Sequence, residues 1–318
     1  MNGRQAIQAL VVIGGSTASG KSALALALAR ALDGAVVNAD SQQLFRDLPI
    51  LTARPTPAEE AQAPHRLYGV LAATEQPSVG DWLARVAPVL AACAAEGRPA
   101  IVTGGTGLYL RALLHGLPDM PEVPAALRAE LRAWAASAPP DAIHARLVQA
   151  DPVMAARLRT SDPQRCLRAL EIVAASGRSL AHWQAQPRVM LPLPERRVAV
   201  ALVPPAAVVD PRLAHRLDVM LAEGAMAEVA ALLDRLPSAD RLPIAKVHGL
   251  RELAAVQRGD LDLPTARTAI ALQVRHYAKR QRTWFRHQLP ELRPVEAVGE
   301  SGEVLDELRH ALSCFGIK

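Results

Sequence analysis

The eight residues Gly15-Ser16-Thr17-Ala18-Ser19-Gly20-Lys21-Ser22 constrain what this chain can fold into more than any other stretch. They fit the spacing G-x-x-x-x-G-K-[ST], and both flanks suit it. Leu10-Val11-Val12-Ile13 is an apolar run of strand length, and Ala23-Leu24-Ala25-Leu26-Ala27-Leu28-Ala29 opens a helix. A strand, a glycine-bearing turn and a helix N-terminus form an anion pocket. Successive N–H groups face inward, the helix dipole adds positive potential, and Lys21 adds a full charge. Ser22 is placed to ligate the Mg²⁺ that a diphosphate carries. The expected fold class is therefore α/β: a P-loop NTPase-like parallel sheet flanked by helices. The loop predicts a grip on a diphosphate or triphosphate. It says neither which one nor what becomes of it.

The chain has 318 residues, enough for a full α/β core and a second, smaller lobe. Half the residues are apolar but only 3% are aromatic, and alanine is abundant, which favours closely packed helices over a β-sandwich. The net charge of +5 does not by itself indicate nucleic acid, so the placement of the basic residues matters more than their sum. Cys93, Cys166 and Cys314 lie far apart without a C-x-x-C spacing, which argues against a metal site or a disulfide framework and fits a reducing compartment. The longest apolar stretch, near Val86 to Ala95, is short for a membrane span and contains Pro88. The N-terminus lacks the basic-then-apolar order of a secretory signal. A cytoplasmic protein without a membrane partner is expected.

Taken in order, the helix from Lys21 is expected to reach about Leu32 and stop with Gly34 at C′. Ala35-Val36-Val37-Asn38-Ala39 is a second strand, and Asp40 ends it. Ligands of open parallel sheets bind outside the carboxyl ends of the strands, so topology alone puts Asp40 beside the phosphate loop. Residues 47 to 77 are proline-rich and read as loop. Ser78-Val79-Gly80-Asp81 caps a helix to about Ala95. Ala100-Ile101-Val102-Thr103 is a strand that ends in a second glycine-rich turn, Gly104-Gly105-Thr106-Gly107-Leu108-Tyr109, which presents Thr106. From about Met120 to Arg188 helices follow one another. The best marked has Asp162 at the N-cap, Pro163 at N1 and Gly177 at C′. Val198 to Val203 returns to the sheet. The expected organisation is a phosphate-binding core, 1–119 and 197–318, interrupted by an all-helical insertion domain, 120–196. In the C-terminal part, Asp210-Pro211 is expected to cap a helix carrying Arg212 and Arg216. Further helices are expected over 226–236, 250–257, 264–288 and 303–312.

Two readings of Asp40 stand side by side: a Walker B aspartate on Mg²⁺, or a general base facing a second substrate. On the last long helix, Arg275, Lys279, Arg282 and Arg286 share a face, with His276, Arg280 and His287 broadening it and Tyr277, Trp284 and Phe285 interleaved. No acidic residue lies between Val274 and Gln288, and cations this dense call for an anion such as a phosphodiester backbone. In the insertion, Gln164, Arg165 and Arg168 crowd a helix N-terminus. They either read RNA or form surface pairs with Glu171. Histidines show no metal-ligand spacing.

Several separated strings agree with one family. Gly15 to Ser22, Asp40-Ser41-Gln42-Gln43, Gly104 to Tyr109, Asp162-Pro163-Gln164-Arg165 with Arg168-Ala169-Leu170-Glu171, and Lys279-Arg280-Gln281-Arg282-Thr283-Trp284-Phe285-Arg286 occur in the family's order. Over nearly its whole length the chain resembles the tRNA dimethylallyltransferases, or tRNA isopentenyltransferases, of bacterial type. That resemblance implies transfer of a dimethylallyl group from dimethylallyl diphosphate to N6 of the adenine 3′ to the tRNA anticodon. It implies that Lys21, Ser22, Mg²⁺ and Arg216 stabilise the leaving diphosphate. It further implies that Asp40 takes the N6 proton and that Thr106 binds phosphate oxygens. Asp40, Thr106, Ser41, Gln42, Gln43, Arg128, Gln164, Arg165, Cys166, Leu167 and Arg168 match positions expected to contact the anticodon stem-loop. Lys279, Arg280, Arg282 and Arg286 are expected to follow the RNA backbone. A monomer is expected.

The chain departs from the family pattern at Ile50-Leu51-Thr52-Ala53-Arg54-Pro55, where a glycine and a lysine are usual. It departs again at His248-Gly249-Leu250-Arg251-Glu252, which lacks an aromatic, and at Ser16, where proline is usual. The rival reading is a small-molecule or nucleoside monophosphate kinase using the same loop. A non-catalytic RNA-binding NTPase is a third.

Overall fold

The computed structural model describes residues 9–313; the sequence readings at the N-terminal eight residues and at Cys314 lie outside them. The strands are β1 (Leu10–Gly15), β2 (Ala35–Asn38), β3 (His65–Arg66), β4 (Ala100–Gly104), β5 (Leu117–Pro118), β6 (Arg188–Val189), β7 (Arg197–Leu202) and β8 (Arg293–Val295). The helices of the first part are α1 (Lys21–Leu32), α2 (Pro57–Glu60), α3 (Val79–Ala95) and α4 (Gly107–His115). Then come α5 (Ala125–Ser137), α6 (Pro140–Ala150), α7 (Pro152–Ala155), α8 (Pro163–Ser176) and α9 (Leu180–Gln184). The last part holds α10 (Ala206–Ala222), α11 (Ala225–Arg235), α12 (Leu250–Arg258), α13 (Leu263–Gln288) and α14 (Gly302–Ser313).

The chain divides into two compact units, residues 1–114 with 191–318, and residues 115–190. The first holds a six-stranded sheet of order β3-β2-β4-β1-β7-β8, with every pairing parallel. A parallel sheet covered on both faces needs continuous apolar runs, and β1, β2 and β4 are buried at every residue. One face packs Leu10, Val12, Val37 and Val102 with Trp82, Leu110 and Phe285. The other packs Val11, Ile13, Val36 and Ile101 with Leu24 and Leu28 of α1 and Leu308 of α14. The edge strands β3 and β8 are short, which limits unpaired backbone at the sheet margins.

Two sequence expectations about helix ends change. The left-handed residue closing α1 is Asp33 (φ 48°), not Gly34. Gly34 is required by space: a methyl there would lie 2.6 Å from Ile101 Cδ1 and 2.9 Å from the Pro99 carbonyl. Asp210-Pro211 does not cap α10, which starts at Ala206 after Pro205, so Pro211 is inside the helix. The extra turn is held by Val209, which is fully buried against Leu213 and Ala278, and by Pro205 O accepting from Val208 and Val209 N–H. Burying Val209 offsets the backbone bond that Pro211 cannot donate.

In the second unit, α5 to α9 close on a core of Ile143, Leu147, Met154, Cys166, Ala169, Leu170 and Ile172. Asp151 is buried. Its carboxylate caps α7 through Met154 N–H (3.0 Å) and also accepts from Leu180 N–H (3.1 Å), tying α9 to it. Asp162 caps α8 through Arg165 N–H, and Gly177 closes it in a left-handed conformation. β5 and β6 form a short antiparallel pair within this unit.

Candidate active site

Turns leave the sheet at the carboxyl ends of β1, β2 and β4, where parallel sheets bind ligands. β1 and β4 register Gly14 against Gly104. A side chain at Gly104 would overlap the Ala39 carbonyl, so only glycine lets the second turn close on the β2 end. Ala39 N–H then donates to Thr103 O (2.7 Å), and Thr106 N–H donates to Ala39 O (3.2 Å).

The phosphate loop winds through left-handed residues at Ala18 (φ 62°) and Gly20 (φ 83°). Ser16 and Ser19 are completely buried, and their hydroxyls bond to no other described residue. Lys21 is buried as well, and its Nζ donates to Ser16 O at 3.3 Å. The first N–H groups of α1, from Lys21 and Ser22, have no intrahelical acceptor and face the loop end. One loop amide turns away from the expected cradle: Thr17 N–H donates to Gln281 Oε1 (2.8 Å), whose Nε2 donates to Gly105 O (2.9 Å). Gln281 is only 4% exposed, so this single side chain joins the phosphate loop, the second glycine turn and α13. Arg212 donates to Ala18 O (2.9 Å) and pairs with Glu300, which lies against Gly20.

Asp40 sits in a cage of local bonds. Asn38 Oδ1 accepts from Asp40 N–H (2.8 Å), and Asn38 Nδ2 donates to Asp40 O and Leu67 O (both 3.0 Å). Asn38 O accepts from Trp82 Nε1 (2.9 Å), and Trp82 stacks on Tyr109 with centroids 4.8 Å apart. Gln42 N–H donates to Asp40 Oδ1 (3.0 Å), which fixes the carboxylate and leaves Oδ2 on the Gly105 side. Thr106 Oγ1 accepts from Ser41 N–H (2.9 Å) and donates to Ser41 Oγ (3.2 Å).

Lys21, Ser22, Asp40 and Arg216 line one cavity together with Thr17, Gln43, His248 and Tyr277. Most of its remaining wall is apolar, from Leu51, Leu213, Leu217, Met220, Ile270 and Val274. A wider, more open cavity meets it at Lys21, Ser22, Arg216 and Met220 and adds Arg54, Arg212 and His215. Burial pulls Lys21 down to about 8, with Arg216 adding to the fall and Asp40 opposing it. Loss of solvent likewise lowers Arg216, against the pull of Asp40. These cations are poorly hydrated and hold each other in tension, the state in which an anion binds most strongly. Among the described residues no cluster of His, Cys, Asp or Glu could cage a metal. The exposed Ser22 hydroxyl instead suits Mg²⁺ carried in by a phosphate ligand.

The other sequence-predicted residues divide. Gln43 commits its Nε2 to Thr52 O (3.2 Å) and Ala53 O (2.8 Å), and Gln42 Oε1 accepts from His248 N–H (3.1 Å), so both side chains brace loops. Cys166 is a correction: it is fully buried in the core of the second unit, and its Sγ faces Arg159 O, so its side chain cannot reach RNA. Leu167 packs on the same core, and Arg128 has its Nε buried without a hydrogen-bond partner among the described residues. Gln164 is exposed. Arg165 pairs with Asp162 (3.3 Å), not with Glu171; Arg168 pairs with the buried Glu171 (3.3 Å), which Arg132 also reaches. The stripe on α13 is compensated in part, by acids on other elements: Arg275 pairs with Asp210 (3.3 Å) and Arg286 with Glu296 (3.1 Å). Lys279 and Arg280 are exposed, and Arg280 lies over the Tyr277 ring. Arg282 has its Nη1 buried without a partner, and Phe285 belongs to the core.

Sequence reading gave no role to Gln281, Asn38, Tyr277 or Glu228. Glu228 accepts from Ile50 N–H (2.7 Å) and Leu51 N–H (2.9 Å) and so holds the divergent Ile50–Pro55 turn. Leu51 has no left-handed φ, so the glycine usual there is not needed for backbone conformation. The signals for Gln281 were its place in the Lys279–Arg286 string and an uncharged glutamine among closely spaced cations.

The family model described as IPP transferase matches residues 43–288, and the one described as isopentenyl transferase matches residues 8–74. A tRNA dimethylallyltransferase of Rhodopseudomonas palustris is 49% identical over 91% of this chain and 91% of its own length. One from Gluconacetobacter diazotrophicus is 50% identical over 87% of this chain and 83% of its own. Among solved structures, a full-length tRNA isopentenylpyrophosphate transferase of Bacillus halodurans superposes with a TM-score of 0.68 at 29% identity, covering 96% of this chain and 97% of that one. A eukaryotic dimethylallyltransferase described as acting on tRNA gives 0.72 at 25% identity, over 87% and 70%.

Proposed function

The chain belongs to the IPP transferase family, and on that premise we propose that it transfers a dimethylallyl group from dimethylallyl diphosphate to N6 of the adenine 3′ to the anticodon in tRNA. The observation that carries this reading is that Lys21, Ser22 and Arg216 line one cavity with Asp40. A kinase reading accounts for the loop but not for the apolar wall beside it.

In the proposed reaction the N6 nitrogen attacks the allylic carbon, the C–O bond to diphosphate breaks, and the leaving group takes that bonding pair. Lys21, Arg216 and the first-turn amides of α1 meet the charge that builds on the diphosphate. Mg²⁺, held by Ser22 and the diphosphate oxygens, would neutralise part of that charge when bound. Asp40 Oδ2 takes the N6 proton while Gln42 N–H holds Oδ1 in place. Thr106 contacts a phosphate oxygen. The adenine has to leave its stack to enter the cavity. Arg128, Gln164, Arg165 and Arg168 in the second unit, and Ser41, Lys279, Arg280, Arg282 and Arg286 in the first, contact the anticodon stem-loop. One chain supplies the whole site, so a monomer suffices, and the tRNA substrate makes the cytoplasm the working compartment. Among the described residues no helix is long and apolar enough to cross a membrane.

Incubation with labelled dimethylallyl diphosphate, Mg²⁺ and bulk tRNA tests the reading: label should enter RNA. Release of ADP from ATP that depends on a metabolite acceptor would support the kinase. Asp40→Asn should lower transfer by about 100-fold to about 10,000-fold while tRNA and diphosphate still bind. Lost binding with normal turnover per bound complex would reject Asp40 as the base.

A further inference from the structure

His248 stands in the substrate cavity with more hydrogen-bonding capacity than the protein uses. It lines the same space as Asp40, Gln42 and Tyr277. Both ring nitrogens are buried, and neither meets another described residue at hydrogen-bonding geometry. Gln273 comes close enough to the ring from α13 to favour its protonated form, but the two do not meet at hydrogen-bonding geometry, and Gln273 Oε1 is itself buried and unbonded. A buried polar atom without a partner is costly, and such atoms in a cavity mark a place where a ligand completes the bonding.

The residue is held as a preorganised contact would be. Its backbone N–H donates to Gln42 Oε1 (3.1 Å), which ties it to the turn that fixes Asp40. Gly249 follows in a left-handed conformation (φ 90°) and starts α12. The ring packs against Tyr277 with centroids 4.6 Å apart at 57°. The charged groups that interact with the ring are Asp40, Glu252 and Arg280, and Lys21 and Arg216 share its cavity. Burial lowers the imidazole below its ordinary value, which keeps it uncharged with one N–H to donate and one lone pair to accept.

We infer that His248 is a substrate-contacting residue that donates its ring N–H to a ring nitrogen of the acceptor purine in the Asp40 cavity. This rests on the transferase reading and deepens it. A purine needs a donor opposite N1 or N7, and His248 lines this cavity with a ring N–H that meets no acceptor at hydrogen-bonding geometry, Gln273 Oε1 beside it included. Hydrogen bonds of this kind select a base more than they tighten a phosphate, so the residue is assigned to the acceptor and not to the diphosphate.

The test compares wild type, His248→Phe, His248→Asn and Gln273→Leu on anticodon stem-loop RNA carrying adenosine, 1-deazaadenosine or 7-deazaadenosine at the target base. Phenylalanine keeps the ring contact with Tyr277 and removes both nitrogens; asparagine restores a donor. The expected result is a roughly ten-fold fall in kcat/KM for RNA in His248→Phe, partial rescue in His248→Asn, and an unchanged KM for dimethylallyl diphosphate. Wild type should lose a similar factor with one of the two deaza acceptors, and His248→Phe should lose nothing further with that acceptor, because the deleted bond is the same one. The inference is overturned if His248→Phe transfers to adenosine at the wild-type rate. It is also overturned if both deaza penalties persist in full in that variant, or if Gln273→Leu reproduces its loss, which would make the pair a packing contact. Absence of transfer by wild type would instead reject the transferase reading itself.

Discussion

Lys21 is an ammonium group in a place that disfavours one. Its folded-state value of about 8 lies below the 10.5 of the exposed side chain, so the fold holds an unprotonated Lys21 more readily than a protonated one. The corresponding stability is fully present above the unfolded value and is lost as pH falls through about 8. At neutral pH the empty site therefore carries a strained cation that a diphosphate relieves. Diphosphate should raise the melting temperature at about pH 7. Its affinity should weaken by up to about ten-fold per pH unit above about pH 8, as the free protein loses the Lys21 proton. Calorimetric titration across that range checks both, and a pH-independent affinity would show that Lys21 does not face the anion. Gln281 is the second residue on which the site depends. Gln281→Leu leaves Thr17 N–H and Gly105 O without partners and should cost about 2–4 kcal/mol, with KM for the donor rising more than KM for RNA. Lys21 was legible from its motif, because the spacing alone names its job. Gln281 was not, since its partners lie 264 and 176 residues away in the chain.

At the scale of elements, local chemistry was readable wherever a cap or a period is encoded in neighbouring residues. Ser78 and Asp162 accept the backbone N–H groups that their positions before helices imply. Misreadings arose where a tertiary contact outweighs a local preference. Gly34 suited a helix stop, but its reason is the approach of Ile101; Pro211 suited a helix start, but buried Val209 carries the helix back another turn. Pro211→Ala restores a donor for the Ala207 carbonyl and should raise stability by up to about 1 kcal/mol without altering activity, as read by thermal melts. A lowered melting temperature would mean that Pro211 is held by a contact outside the helix ladder. The stripe on α13 was visible as spacing, yet its division into paired Arg275 and Arg286 and exposed Lys279 and Arg280 depends on acids from α10 and the segment after β8. Lys279→Glu should weaken tRNA binding and reduce its salt dependence, with donor KM unchanged.

At the scale of the whole molecule, the α/β class, the parallel sheet and the helical character of residues 125–184 followed from where apolar runs and helical spacing stand along the chain. The sheet order did not, because strand neighbours are chosen by crossovers that leave no local mark: β1 lies between β4 and β7. The cage around Asp40 was equally hidden, since Asn38, Trp82, Gln42 and His248 meet there only in the fold. In the second unit the exposed Arg165 gives a further check. Arg165→Glu should weaken tRNA affinity and leave donor binding intact, measured by filter binding against salt concentration. Equal affinity in wild type and variant would remove Arg165 from the RNA surface. The most direct measurement is mass spectrometry of tRNA nucleosides from cells that lack this protein and are resupplied with wild type or with Asp40→Asn. Adenosine carrying one five-carbon prenyl group should return with wild type and stay absent with the folded variant. Unmodified adenosine in both strains, or equal prenylation in both, would contradict the account.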